Sequence, residues 1–158
     1  MAGVGKSFVG KKLAEKIGYN YIEADKLITT EASKLGVKKD SLPDDNFIKL
    51  EEKVTLGLRD KKNSVFDTGG SVIYSERAML SLKSNSFVVY LKDSVENVKE
   101  RFETRGEPHL IGIKGKTFEE LLKDRDRLYT KYADFVVNVS KYNSQDILHK
   151  IITNVVLR

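Results

Sequence analysis

Five residues near the amino end, Gly3-Val4-Gly5-Lys6-Ser7, have the composition of a phosphate cradle. In the pattern G-x-x-x-x-G-K-[ST], glycines let the backbone curl so that successive N–H groups face phosphate oxygens, and the following helix adds the partial positive charge of its N-terminus. Lys6 would carry a charge to the outer phosphates of a nucleotide, and the Ser7 hydroxyl would bind Mg2+. Gly3, Val4, Gly5, Lys6, Ser7 and Phe8 are therefore the expected nucleotide-binding set. Two acids, Glu23 and Asp25, follow the next strand-like run. A carboxylate facing a cradled γ-phosphate can orient an acceptor hydroxyl and take its proton, while a second can hold the metal directly or through water. Asp25 is assigned the first task and Glu23 the second. Taken singly, Asp25 reads as a helix N-cap and Glu23 as a surface residue; the adjacent phosphate turn reverses that preference. Gly69-Gly70 ends another strand-like run, and its missing side chains would let an acceptor ring approach the backbone. Asp67, just before them, is either an acid near the metal or a partner for a neighbouring N–H or cation.

The elements that must position these groups alternate along the chain. Phe8, Leu13, Ala14 and Ile17 predict a first helix with Gly18 as its stop, and Tyr19 to Glu23 a short strand. Leu27, Ile28, Ala32 and Leu35 mark a second helix ended by Gly36. Phe47, Leu50, Val54 and Leu58 mark a third. Ser64 to Thr68 reads as a strand, and Ser75 caps a helix through Leu82. Ser86 to Leu91 is nearly all apolar, as expected of a strand buried on both faces of a parallel sheet. Asp93 and Glu96 form one expected capping box and Thr117 and Glu120 another. Between those helices, residues 106–116 hold glycines and a proline with little periodicity, and predict a mobile loop. A strand at Phe135 to Val139 and an amphipathic helix carrying Ile147, Leu148, Ile151, Ile152 and Val155 complete the chain. The alternation predicts an α/β fold, a three-layer α/β/α arrangement around a parallel sheet, with ligands at the carboxyl ends of the strands. The phosphate pattern's first glycine would fall one residue before Met1, and the strand that delivers the chain into such a turn is missing from the sequence. The sequence therefore reads as starting late, and low stability is expected of a sheet without its central strand.

At 158 residues, with 40% hydrophobic and 32% charged residues, the chain is long enough to bury a core as one domain, 1–158. Its net charge of +5 suits an anionic partner. The lysines are scattered rather than grouped with aromatics, which speaks for solvated helix faces and against nucleic acid. No apolar run reaches membrane-spanning length and there is no cysteine, so a cytoplasmic monomer acting on small molecules is the expectation.

The order of these segments resembles the shikimate kinase family: the GxGKS turn, "YIEAD" at 21–25, Phe47 to Glu51 as F-x-x-x-E, "DTGGS" at 67–71, a loop, then "LLKDRDRLYTKYAD" at 121–134. The likeness extends from residue 2 to about 140. It implies a small P-loop kinase using ATP and Mg2+, with a lid at about 106–116 closing over the nucleotide. It implies that Asp25 binds the acceptor hydroxyl, that Glu23 serves the Mg2+ shell with Ser7, and that Arg125 grips the acceptor carboxylate beside Gly69 and Gly70. Lys6, Asp25 and Arg125 become the catalytic set, and Arg105 lies against adenine.

Several positions depart from the family pattern. Glu23 replaces the first acid of D-x-D, and Ser71 replaces a third glycine. Ile48 stands where a second carboxylate-gripping arginine is expected, with Lys49 turned about 100° away around the helix. Glu107 precedes Pro108 where the lid carries an arginine, and His109, Lys114, Lys116 or Arg127 could supply the charge. The reading that results is ATP-dependent phosphoryl transfer to a hydroxyl of a small anionic metabolite, with shikimate leading. A related kinase with another small acceptor and a nucleotide-binding homologue without catalysis stand beside it. Tyr129 and Tyr132, at helical spacing, are assigned to packing.

Overall fold

A computed structural model describes residues 3–105 and 110–156. Its strands form two parallel pairs. In the first, β1 (Asn20–Glu23) lies beside β2 (Ser64–Asp67), with Asn20 opposite Ser64 and Glu23 opposite Asp67. In the second, β3 (Val89–Lys92) lies beside β4 (Phe135–Asn138), with Val89 opposite Phe135 and Lys92 opposite Asn138. Parallel neighbours need a long crossover, and helices supply it. The chain runs from β1 to β2 through α2 (Ala24–Lys34) and α3 (Asp44–Leu56), and from β3 to β4 through α5 (Val95–Arg105) and α6 (Phe118–Tyr132). A further helix, α4 (Glu76–Asn85), joins the halves.

Helix α1 (Lys6–Ile17) packs on β1 and β2 and against α7 (Ser144–Val156), which in turn packs on β4. Among the described residues the two pairs remain separate sheets. Between β2 and β3 lies a cavity of about 550 Å³, walled by Ser64 to Asp67, by Phe87 to Leu91, and by Val9, Gly10 and Leu13 of α1. The strand expected at Ser86 to Leu91 is consequently shorter and displaced toward Lys92. Phe87 and Val88 border this cavity and are only half-buried instead of enclosed on both faces.

Helix boundaries agree with local chemistry where the cap is a side chain. Thr117 and Glu120 make the expected reciprocal capping box, and Ser75 accepts from the Ala78 amide. The box expected at Asp93 and Glu96 is not formed. Ser94 caps α5 instead, its Oγ accepting from the Asn97 amide at 3.1 Å, because Asp93 is turned inward to pair with Arg101. On α1 the buried face holds Val9, Gly10 and Ala14, whereas Phe8, expected inside, is 56% exposed. Val9 takes the inward place, one helical step of about 100° away. On α2 the buried stripe is Ala24, Ile28 and Ala32, with Leu27 and Leu35 outside it.

The core has three parts. Val98, Phe102, Leu121, Val137 and Ile151 join the β3–β4 sheet to α1, α5, α6 and α7. Ile28, Phe47, Leu50 and Val54 hold α2 to α3, and Val72, Met79 and Leu82 hold α4 under α6. The expected mobile loop at 106–116 is only partly within the described residues, 106–109 falling outside them. Its second half is anchored. Ile111 is buried in the α2–α3 cluster, and the Gly112 amide donates to Asp44 Oδ2 at 2.7 Å. Buried contacts and a charge-assisted hydrogen bond override the Gly-rich composition there.

Candidate active site

The amino-terminal turn delivers the chain into α1 with two residues in the left-handed region, Gly3 at φ +74° and Gly5 at φ +87°. Side chains are strained at such angles, and a Cβ on Gly3 would also lie 3.1 Å from the Phe102 ring. The Gly5 carbonyl accepts from the Val9 amide at 3.0 Å, and the Gly3 carbonyl from Arg101 Nη1 at 3.1 Å. Arg101 is itself held by buried Asp93 at 2.6 Å, so α5 clamps the turn from outside. Val4 contributes its side chain to the core, leaving its backbone for the turn. Lys6, at the helix mouth, has its ammonium pulled below its ordinary value by burial, opposed chiefly by Asp67.

Because β1 and β2 are in register, Glu23 and Asp67 stand side by side at the carboxyl ends of their strands. Asp67 Oδ2 accepts from Ser7 Oγ at 2.5 Å and from the Tyr21 hydroxyl at 3.0 Å. Burial, and then the bond to Asp67, push Tyr21 up to about 12, so it remains a neutral donor at neutral pH. Glu23 pairs with Lys26 at 3.0 Å and opens on the same cavity as Ser7 and Asp67. One hydroxyl and two carboxylates form a hard oxygen donor set. No group of three or more His, Cys, Asp or Glu that could hold a metal occurs among the described residues. Oxygen donors of this kind suit Mg2+, which takes one or two carboxylates and completes its shell from water and phosphate.

These groups line a cavity of about 310 Å³ shared with Asp25, Lys39 and Arg125. Glu23 is the N-cap of α2, so Asp25 occupies the helix's first turn rather than its cap. Both Asp25 oxygens are engaged by Lys39, which a 3₁₀ turn at Lys39–Ser41 carries back across the pocket. Arg125, on the buried face of α6, is 2% exposed. Its Nη2 donates to the Ile111 carbonyl at 2.7 Å and its Nε to the Tyr74 hydroxyl at 3.2 Å. The anchored half of the 106–116 loop thus orients the arginine. Tyr129, one turn further along α6, stacks on Tyr90 at 4.8 Å and donates to the Gly70 carbonyl at 2.6 Å.

Below the pocket floor lies Glu51, 1% exposed. Its Oε2 accepts from Ser71 Oγ at 2.6 Å, and its Oε1 has no hydrogen-bond partner. A Cβ on Gly69 would come within 2.0 Å of that Oε1. Gly69 is therefore a glycine for reasons of space. Gly69→Ala is expected to push Glu51 or the floor aside, destabilising the fold by about 1–3 kcal/mol. Urea unfolding of the variant beside the parent checks this; equal midpoints would count against the close approach.

The structure brings Lys6, Ser7, Glu23, Asp25, Gly69, Gly70 and Arg125 to one cavity. Gly3, Val4 and Gly5 are not among its lining residues and form the turn that leads into α1. Phe8 is exposed on the first turn of α1 and is not among the cavity's lining residues. The side chain of Arg105 lies outside the described residues, and the arginine seen holding the phosphate turn is Arg101. Ile48 packs against the α2–α3 cluster, and Lys49 is exposed, as its helical position predicts. Sequence reasoning missed Lys39, which no periodic pattern marks, and the isolation of Glu51, which follows from the apolar residue at 48.

Residues 2–156 match the family model described as Shikimate kinase. The chain is 28% identical to the shikimate kinase of Caldanaerobacter subterraneus subsp. tengcongensis over 154 residues, covering 95% of this chain and 89% of that one. It is 32% identical to that of Francisella tularensis subsp. novicida over 158 residues, covering 96% and 88%. Among solved structures, shikimate kinase from Acinetobacter baumannii in complex with shikimate superposes with a TM-score of 0.78 at 27% identity, covering 98% of this chain and 88% of that one. With the P-loop α/β fold and the convergence of phosphate turn, acids and arginine, these likenesses show that the chain belongs to the shikimate kinase family, phosphotransferases that use ATP and act on a hydroxyl group.

Proposed function

We propose that the chain transfers the γ-phosphoryl group of ATP to a hydroxyl of shikimate, giving 3-phosphoshikimate. The observation that carries the reading is the single cavity in which Lys6 and Ser7 face Asp25 and Arg125. The turn's backbone amides and Lys6 would hold the phosphates and offset charge that spreads over the transferred group. Mg2+, held by Ser7 with Asp67 and Glu23, would supply neutralising charge between the outer phosphates. Arg125, fixed by Ile111 and Tyr74, would grip the acceptor carboxylate. Asp25 would accept the hydroxyl proton, an arrangement that requires Lys39 to give up at least one of its oxygens. Lys39, once released, is the nearest replacement for the arginine that Ile48 does not provide. A lysine makes no bidentate fork, so acceptors other than shikimate, hydroxy acids and sugar acids, form a second reading favoured by Ile48.

A coupled assay of ADP release with ATP, Mg2+ and a panel of shikimate, hydroxy acids, sugar acids and nucleoside monophosphates separates these readings. Shikimate-dependent release above the acceptor-free background is the expected result. Faster turnover of another hydroxy acid selects the second reading, and nucleotide binding without transfer to any acceptor overturns both.

A further inference from the structure

Glu51 is a buried carboxylate beneath the acceptor cavity that phosphoryl transfer does not use. It rises from α3 beneath the floor, enclosed by Gly69 and Ser71, and only Oε2 has a partner, the Ser71 hydroxyl. Among the described residues no cation pairs with it within ion-pair distance. The charged or titratable groups that act on it are Arg125 and Tyr129 from α6, Asp25 from α2 and Lys6 from α1. Ionised, it would be an unpaired negative charge in a dry place, opposing an anionic acceptor and drawing off the field of Arg125. Neutral, it leaves the full charge of Arg125 to the acceptor.

We propose that Glu51 is a proton-dependent positioning residue of the acceptor pocket: the site takes a carboxylate-bearing acceptor while Glu51 is protonated and releases it as Glu51 ionises. This rests on the acceptor reading given above and adds regulation to that site. Burial pushes the Glu51 carboxyl up to about 7, which places the switch in the neutral range. Binding of the anionic acceptor then draws in a proton at neutral pH.

The test is calorimetric titration of shikimate into the protein with a non-hydrolysable ATP analogue and Mg2+, from pH 6 to 9, in buffers of different ionisation heat. The parent is expected to take up a proton at about pH 7–8, and its affinity to weaken by about tenfold per pH unit above the midpoint until the complex itself deprotonates. Glu51→Gln, close in shape and permanently neutral, should keep tight binding across the range with no linked proton from this site. Titration of the parent alone decides the matter if the variant folds poorly, because proton uptake is read without it. No proton uptake by the parent, or parallel pH profiles in parent and variant, would overturn the role of Glu51 while leaving the kinase reading standing. Failure of shikimate to bind either protein at any pH would overturn that reading and this inference together.

Discussion

Asp25→Asn is expected to lower kcat by about 10²–10⁴-fold, the usual share of a positioned general base, while leaving ATP affinity unchanged. Asp25 lines the same cavity as Lys6, but its carboxylate is bonded to Lys39 and reaches Lys6 only as a through-space charge, so its loss should be felt chiefly once an acceptor hydroxyl is present. Asparagine keeps the size and the first-turn position on α2 but cannot take a proton. It also releases Lys39, whose two contacts with Asp25 are charge-dependent. A rise in the acceptor KM as well as a fall in kcat would show that the pair positions the acceptor. Single-turnover kinetics with a separate nucleotide-binding titration checks the prediction. Normal turnover by the variant would remove Asp25 from the chemistry.

The second large effect concerns stability. An acid whose pKa rises from 4.5 in the unfolded chain to about 7 in the folded one binds its proton more tightly when folded. Stability should therefore fall as pH climbs through that interval, with the whole cost present above about 7 and absent below 4.5. A displacement of that size corresponds to about 3 kcal/mol, a large part of the stability of an ordinary domain. Glu51→Gln is expected to equal the parent near pH 4 and to exceed it by about that amount at pH 8. Urea midpoints for both proteins at the two pH values measure it. A difference independent of pH would mean that Glu51 carries its charge at little cost.

What the sequence disclosed depended on how local the cause was. The caps at Ser75 and at Thr117–Glu120 are bonds between residues three apart, and both were legible. The cap at Ser94 was misread by one position. Asp93 and Ser94 can both accept from an amide, and the choice is made by Arg101, a full two turns along α5. Periodicity found α1 but placed Phe8 on its inner face, where Val9 stands, because the pattern does not say where the sheet lies. The phosphate turn, Glu23, Asp25 and Gly69 were readable as types at spacings, and Arg125 only through the family resemblance. Their meeting in one cavity depended on strand register, which set Glu23 opposite Asp67. Composition pointed away from the truth at residues 110–116: glycines there suggested freedom, whereas Ile111 and Asp44 tether the segment from a distant helix. Lys39 was hidden for the same reason. A three-residue 3₁₀ turn brings it to Asp25, and nothing in its neighbourhood announces that turn.

The cavity between the two strand pairs has a consequence for how the molecule comes apart. Backbone bonding stops at its walls, and the halves are joined by helices, through the contacts of α1 with α7 and of α3 with α4. Heating such a body need not break everything at once. The pair made of Asn20–Glu23 and Ser64–Asp67, packed mainly on α1, has fewer buried residues than the other pair, so its amides should lose protection first. Asp25 and Glu51 ride on that weaker half and Arg125 on the firmer one. If that order of exchange is observed, the two sides of the acceptor pocket belong to different cooperative units, and a bound acceptor that touches both would fuse them into one.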